Sequence, residues 1–93
     1  MPLTRQQRRE TMTDQEIRQK FLEIIADVLQ VDIEKLTPET RFNEDLDILS
    51  MNKFVLVSEI EDLTDTEVTY QQFNKNCRTV GEALDFVAKL NAQ

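Results

Sequence analysis

Phe42-Asn43-Glu44-Asp45-Leu46-Asp47-Ile48-Leu49-Ser50-Met51 marks the place where a long connection has to become a helix. Before it, apolar residues are thinly spaced. After it, they crowd. A serine at such a boundary has two ordinary uses. Its hydroxyl can cap the helix. Alternatively, something is attached to it: a phosphodiester on Ser50 would sit at a helix N-terminus, where free N–H groups and the helix dipole favour negative charge. Asp45-Leu46-Asp47 faintly resembles a calcium loop, but the central Gly and the closing Glu are missing, which excludes an EF-hand.

Working outward, the spacing predicts a helix from Ser50 to about Leu63. Phe54, Val57 and Ile60 are expected to face the core, flanked by Leu56 and Leu63. Met51 and Val55, four residues apart, share a separate face. Glu59, Glu61 and Asp62 load the C-terminal half with negative charge, which opposes the dipole and reads first as a solvated face. On the N-terminal side, residues 31–49 form a connection too long for a plain loop. Val31, Ile33, Leu36, Phe42, Leu46 and Ile48 are anchors that would hold it to the bundle, and Pro38 favours a turn.

A first helix is predicted from Asp14 to about Gln30, started by the capping-box pair Thr13 and Glu16. Ile17, Phe21, Ile24, Ile25, Val28 and Leu29 make its apolar stripe. A short helix is expected near Tyr70–Asn74. A last one follows Thr79 and Glu82, with Val80, Ala83, Leu84, Val87 and Leu90 on its apolar face. Tyr70, Phe73 and Phe86 are read as core or core-edge aromatics. The fold class is therefore all-α: three main helices and one short one, with a long structured first loop.

Composition agrees. One Gly and two Pro in 93 residues are too few for a turn-rich β fold. The net charge of −7 disfavours nucleic acid and anionic membranes and suits basic partner surfaces. Arg5, Arg8 and Arg9 against Glu10 set residues 1–12 apart as a basic tail, expected to be disordered, and leave the domain over residues 13–93 at −9. Histidine is absent, which removes Ser-His and Cys-His catalysis and any Cys/His metal set. The lone cysteine, Cys77, makes no intrachain disulfide and is read as a small hydrophobe. No run is apolar and long enough to span a membrane. A cytoplasmic monomer is expected, and an enzyme is not.

The layout resembles the acyl carrier protein family over roughly Ile17 to Val87. Val28-Leu29-Gln30-Val31-Asp32, Leu36-Thr37-Pro38-Glu39-Thr40-Arg41-Phe42 and Glu44-Asp45-Leu46 look like that family's first helix end and long loop. Glu59-Ile60-Glu61-Asp62, Asp65-Thr66-Glu67-Val68 and Thr79-Val80-Gly81-Glu82-Ala83-Leu84-Asp85-Phe86-Val87 look like its later helices. Each piece is short; their joint order and spacing carry the match.

The resemblance implies that Ser50 holds 4′-phosphopantetheine through a phosphodiester, and that the arm's thiol holds an acyl group as a thioester. Implied partners are a phosphopantetheinyl transferase and acyl-loading and acyl-transferring enzymes with basic surfaces, in lipid, cell-envelope or secondary-metabolite synthesis. Asp47, Leu49, Met51, Val55, Glu59, Glu61 and Asp62 would form the docking surface. Phe42, Phe54, Ile60, Val68 and Leu84 would line an acyl cavity. The family usually has Asp-Ser-Leu at the attachment site, whereas this chain has Leu49-Ser50-Met51. Asn52 and Val55 also stand where acids are common. A specialised carrier with dedicated partners follows. The alternative is a carrier-like interaction module that is not modified, with Leu49, Met51 and Val55 as its docking patch.

Overall fold

Four α-helices and one turn of 3-10 helix account for the regular structure of the computed structural model, which describes residues 12–92. Helix α1 is Asp14–Leu29, the 3-10 turn is Ile33–Lys35, α2 is Ser50–Thr64, α3 is Tyr70–Asn76 and α4 is Val80–Asn91. The expected bundle is what forms. The tail expected over residues 1–12 lies outside the described residues except for Met12, whose carbonyl accepts a hydrogen bond from Asn91 Nδ2 at 3.4 Å.

Local chemistry starts three of the four helices. Thr13, Thr69 and Thr79 each accept from the N–H three residues on, and Glu16, Gln72 and Glu82 reach back to close the box. Helix α1 stops where Gln30 turns left-handed, and α2 stops likewise at Asp65. Near the end of α2, buried Thr64 satisfies its hydroxyl on the Ile60 carbonyl at 2.7 Å.

Helix α1 packs against α4 and α2, while α3 bridges α2 and α4. Phe21 and Ile25, Leu56 and Ile60, Phe73, and Val80, Ala83 and Val87 meet in one core. Val57 and Ile60 face inward as expected. Two expectations for α2 are corrected. Leu56 is fully buried core, not a flank, and Phe54 is 58% exposed. Residues in α2 are apolar on both sides of the helix, so spacing alone does not say which side the other helices cover.

The connection from Val31 to Leu49 is held as its anchors suggested. Leu36 and Phe42 are buried, and Val31, Leu46 and Ile48 are partly buried against the core. Phe42 packs on Phe73 with ring centroids 5.7 Å apart. Three backbone hydrogen bonds tie this loop to the start of α4: Phe42 N–H to Arg78 O at 3.0 Å, Val80 N–H to Thr40 O at 2.8 Å and Gly81 N–H to Pro38 O at 3.0 Å. Asp45 accepts the Arg41 N–H at 2.8 Å, and Ile48 N–H returns to Phe42 O at 3.0 Å. That turn delivers the chain to the start of α2.

Candidate functional site

The start of α2 is built unlike the starts of the other helices. Leu49 is the N-cap, with extended backbone and no side-chain acceptor to offer. Ser50 is already the first helical residue, which corrects the reading of its hydroxyl as the cap. The N–H groups of Ser50, Met51 and Asn52 find no acceptor among the described residues. In α1, α3 and α4 a threonine oxygen takes one of these donors; here all are left for something else.

Ser50 is exposed. Its Oγ accepts a long hydrogen bond from the Tyr70 hydroxyl, 3.4 Å away across the α2–α3 crossing. The Tyr70 ring stacks on Phe54, with centroids 4.5 Å apart and planes at 29°. One turn along, Lys53 Nζ donates to Asn74 Oδ1 at 3.1 Å. The hydrogen bond with Ser50, then that with Asn74, hold the Tyr70 phenol below its ordinary pKa; the Lys53 charge acts in the same direction. Tyr70 is the residue that sequence reasoning missed at this site. Twenty residues separate it from Ser50, and no periodicity links them.

Around Ser50 the surface is apolar. Leu49 is 65% exposed, Met51 76% and Val55 42%, so the separate face expected for Met51 and Val55 is at the surface. Between Asp47 and Glu59 the chain carries one charge, Lys53. Asp47 is exposed and left-handed, with φ of 51°. Farther along α2, Glu59 is half-buried and Asp62 exposed. Glu61 has a structural partner: its carboxylate accepts the Val68 N–H at 3.0 Å and secures the turn after α2.

The five residues expected around an acyl chain are not gathered about one opening. Phe42, Ile60 and Val68 are packed in the core, and Phe54 is on the outside against Tyr70. Leu84 lines a groove of about 710 Å³ with Leu22 and Leu63, between α1, α4 and the far end of α2. Leu63 is thirteen residues along the helix from Ser50, roughly 20 Å at 1.5 Å each. Cys77 is buried between α3 and α4, and burial pushes its thiol up to about 12, with Glu82 adding to the effect. That bears out its reading as a small hydrophobe. Among the described residues, no cluster of metal-ligating side chains occurs and no helix is long and apolar enough to cross a membrane.

An exposed hydroxyl beside three N–H groups with no described acceptor, at the positive end of a 15-residue helix, suits a covalently attached anion. Comparison with known sequences points the same way. The family model described as a phosphopantetheine attachment site matches residues 19–87. An acyl carrier protein from Rubrobacter xylanophilus is 40% identical over 78 residues, covering 84% of this chain and 95% of the relative. One from Thermosynechococcus vestitus is 37% identical over 76 residues, covering 82% and 93%. A third, from Chlorobium luteolum, is 32% identical over 78 residues, covering 84% and 99%.

Proposed function

The chain belongs to the acyl carrier protein family, and on that premise we propose that Ser50 is where its 4′-phosphopantetheine is joined. The protein is a carrier and not an enzyme: it holds, presents and is recognised. When bound, the group supplies a flexible arm whose thiol carries an acyl group as a thioester. The chain's own residues do the rest. Ser50 Oγ provides the attachment oxygen. The first-turn N–H groups of Ser50, Met51 and Asn52 would hold the phosphodiester and offset its charge. The Arg41–Asp45 turn and the buried Phe42 hold the preceding loop, and so the serine, against the bundle.

The observation that carries this reading is the uncapped start of α2 at an exposed serine. The partners are a phosphopantetheinyl transferase and acyl-handling enzymes. The finer reading is that dedicated enzymes dock on Leu49, Met51 and Val55, with Asp47, Glu59, Glu61 and Asp62 meeting basic groups around that edge. Apolar area beside the serine replaces the charge that a family acid supplies there, which supports a specialised carrier. The cytoplasmic, monomeric state belongs to the same reading, as does a pathway in lipid, cell-envelope or secondary-metabolite synthesis.

Mass spectrometry of the protein from its own host tests the attachment. The expected result is the mass of one phosphopantetheine on the peptide containing Ser50, lost in Ser50→Ala. Unmodified protein, with the matching transferase present, would turn the exposed Leu49–Met51–Val55 edge into the docking patch of an interaction module.

A further inference from the structure

Phe54 is out of place. It is a large aromatic at the surface of a helix whose core positions are filled by Leu56, Val57 and Ile60. What it contacts is Tyr70, the first residue of α3, in a stack of 4.5 Å. The Thr69–Gln72 capping box fixes where α3 begins, and Lys53 and Asn74 tie the same two helices one turn along. The phenol is therefore placed by packing and helix geometry. Its hydroxyl arrives 3.4 Å from Ser50 Oγ, long for an O–H···O bond and hence a weak reason for the placement.

We propose that Tyr70 is a positioning residue for the group carried on Ser50: its hydroxyl donates to the phosphodiester and fixes the direction in which the arm leaves the helix. The inference rests on Ser50 being the attachment point. A neutral serine hydroxyl is a modest acceptor. A phosphate bonded to that oxygen is an anion, and charge-assisted hydrogen bonds are shorter and about twice as strong as neutral ones. The first-turn N–H groups approach the anion along the axis of α2. Tyr70 adds a donor from a second helix, so the group is held from two directions. Phe54 is the platform that keeps the phenol there, which accounts for its exposure.

The groups that face the phenol are Ser50 and Lys53 on α2 and Asn74 on its own helix. In the unmodified protein they lower its pKa. An anion on Ser50 reverses that balance, because an esterified Ser50 Oγ has no hydrogen to give the phenolate and the added negative charge disfavours it. The chain has one Tyr and no Trp, so tyrosinate absorbance titrates Tyr70 alone.

The experiment compares unmodified protein with protein loaded by a transferase, loading being read by mass. The expected result is a Tyr70 midpoint that rises on modification. Tyr70→Phe keeps the ring stack and removes only the donor. It should load, with its phosphorus NMR resonance displaced from that of the loaded wild type and no longer moving as tyrosine titrates. A loaded wild type whose midpoint stays or falls, with a phosphorus resonance identical in Tyr70→Phe, overturns the inference and leaves the attachment intact. Failure to find the added mass on Ser50 overturns the attachment and this inference with it.

Discussion

Gly81 and Pro38 touch backbone to backbone. The Gly81 N–H donates to Pro38 O at 3.0 Å, and a Cβ on residue 81 would stand 2.9 Å from that oxygen and 3.0 Å from Pro38 Cβ. The first turn of α4 therefore serves as the wall on which the long loop rests. From there backbone hydrogen bonds hold the loop at Thr40, Phe42 and Ile48, two residues before Ser50.

Gly81→Ala should lower stability by about 1–2 kcal/mol. The gain in helix propensity, up to ~1 kcal/mol, is smaller than the cost of forcing backbone apart, about 1–3 kcal/mol. Urea unfolding reads the difference. A midpoint equal to wild type would mean that the loop yields freely and does not rely on α4.

Ser50→Ala should abolish modification yet change stability by less than about 0.5 kcal/mol, since Leu49 and not Ser50 occupies the cap position. Thr79→Ala is the contrast. It removes a hydroxyl that accepts the Glu82 N–H at 3.1 Å, at a cost of about 1 kcal/mol. Equal losses in the two variants would contradict the assignment of caps.

Asp45 gives the loop a pH dependence. The Arg41 backbone N–H, then its guanidinium, hold the carboxyl below its ordinary value. A depressed folded pKa stabilises above the unfolded value, near 4, and the contribution is lost as pH falls through the folded value. NMR titration of the Asp45 carboxyl should show a midpoint below that of an exposed aspartate, and Arg41→Ala should move it up. An ordinary midpoint in the wild type would show that the turn is open in solution.

Cys77, with its thiol pushed up to about 12, should ignore thiol reagents at neutral pH in the folded protein. Unmodified protein should then give no reaction until denatured, while loaded protein gives one equivalent from the arm. Rapid labelling of Cys77 without denaturant would mean that α3 and α4 part readily.

Leu49→Asp restores an acid beside the serine and removes apolar area worth up to about 2 kcal/mol if a partner buries it. The variant should be a better substrate for a housekeeping transferase and a poorer one for the protein's own downstream enzyme. Kinetics of both reactions on both proteins check it, and identical behaviour would leave the specialised docking edge without support.

How much could be read beforehand depends on the range of the interactions. Capping pairs at Thr13–Glu16 and Thr79–Glu82, and the stripe from Ile17 to Leu29, act within a turn or two, so the sequence alone locates the helices to within a residue or two. The order of short segments from Val28 to Val87 was enough to indicate the family, and with it a serine at residue 50. Such signals are local, and the chain need not be folded for them to be present.

Tertiary structure decided the rest. Helix α2 is apolar on both sides, and only the crossings with α1, α3 and α4 determine that Leu56 goes in and Phe54 stays out. The identity of the cap at Leu49 depends on where the loop releases the chain, which hydrogen bonds to residues 78 and 80, at the start of a distant helix, settle. Glu61 accepts the Val68 N–H, and Tyr70 meets Ser50 although twenty residues separate them. These contacts arise when helices pack, and a side chain's neighbours across a helix crossing leave no periodic trace in the chain that makes them.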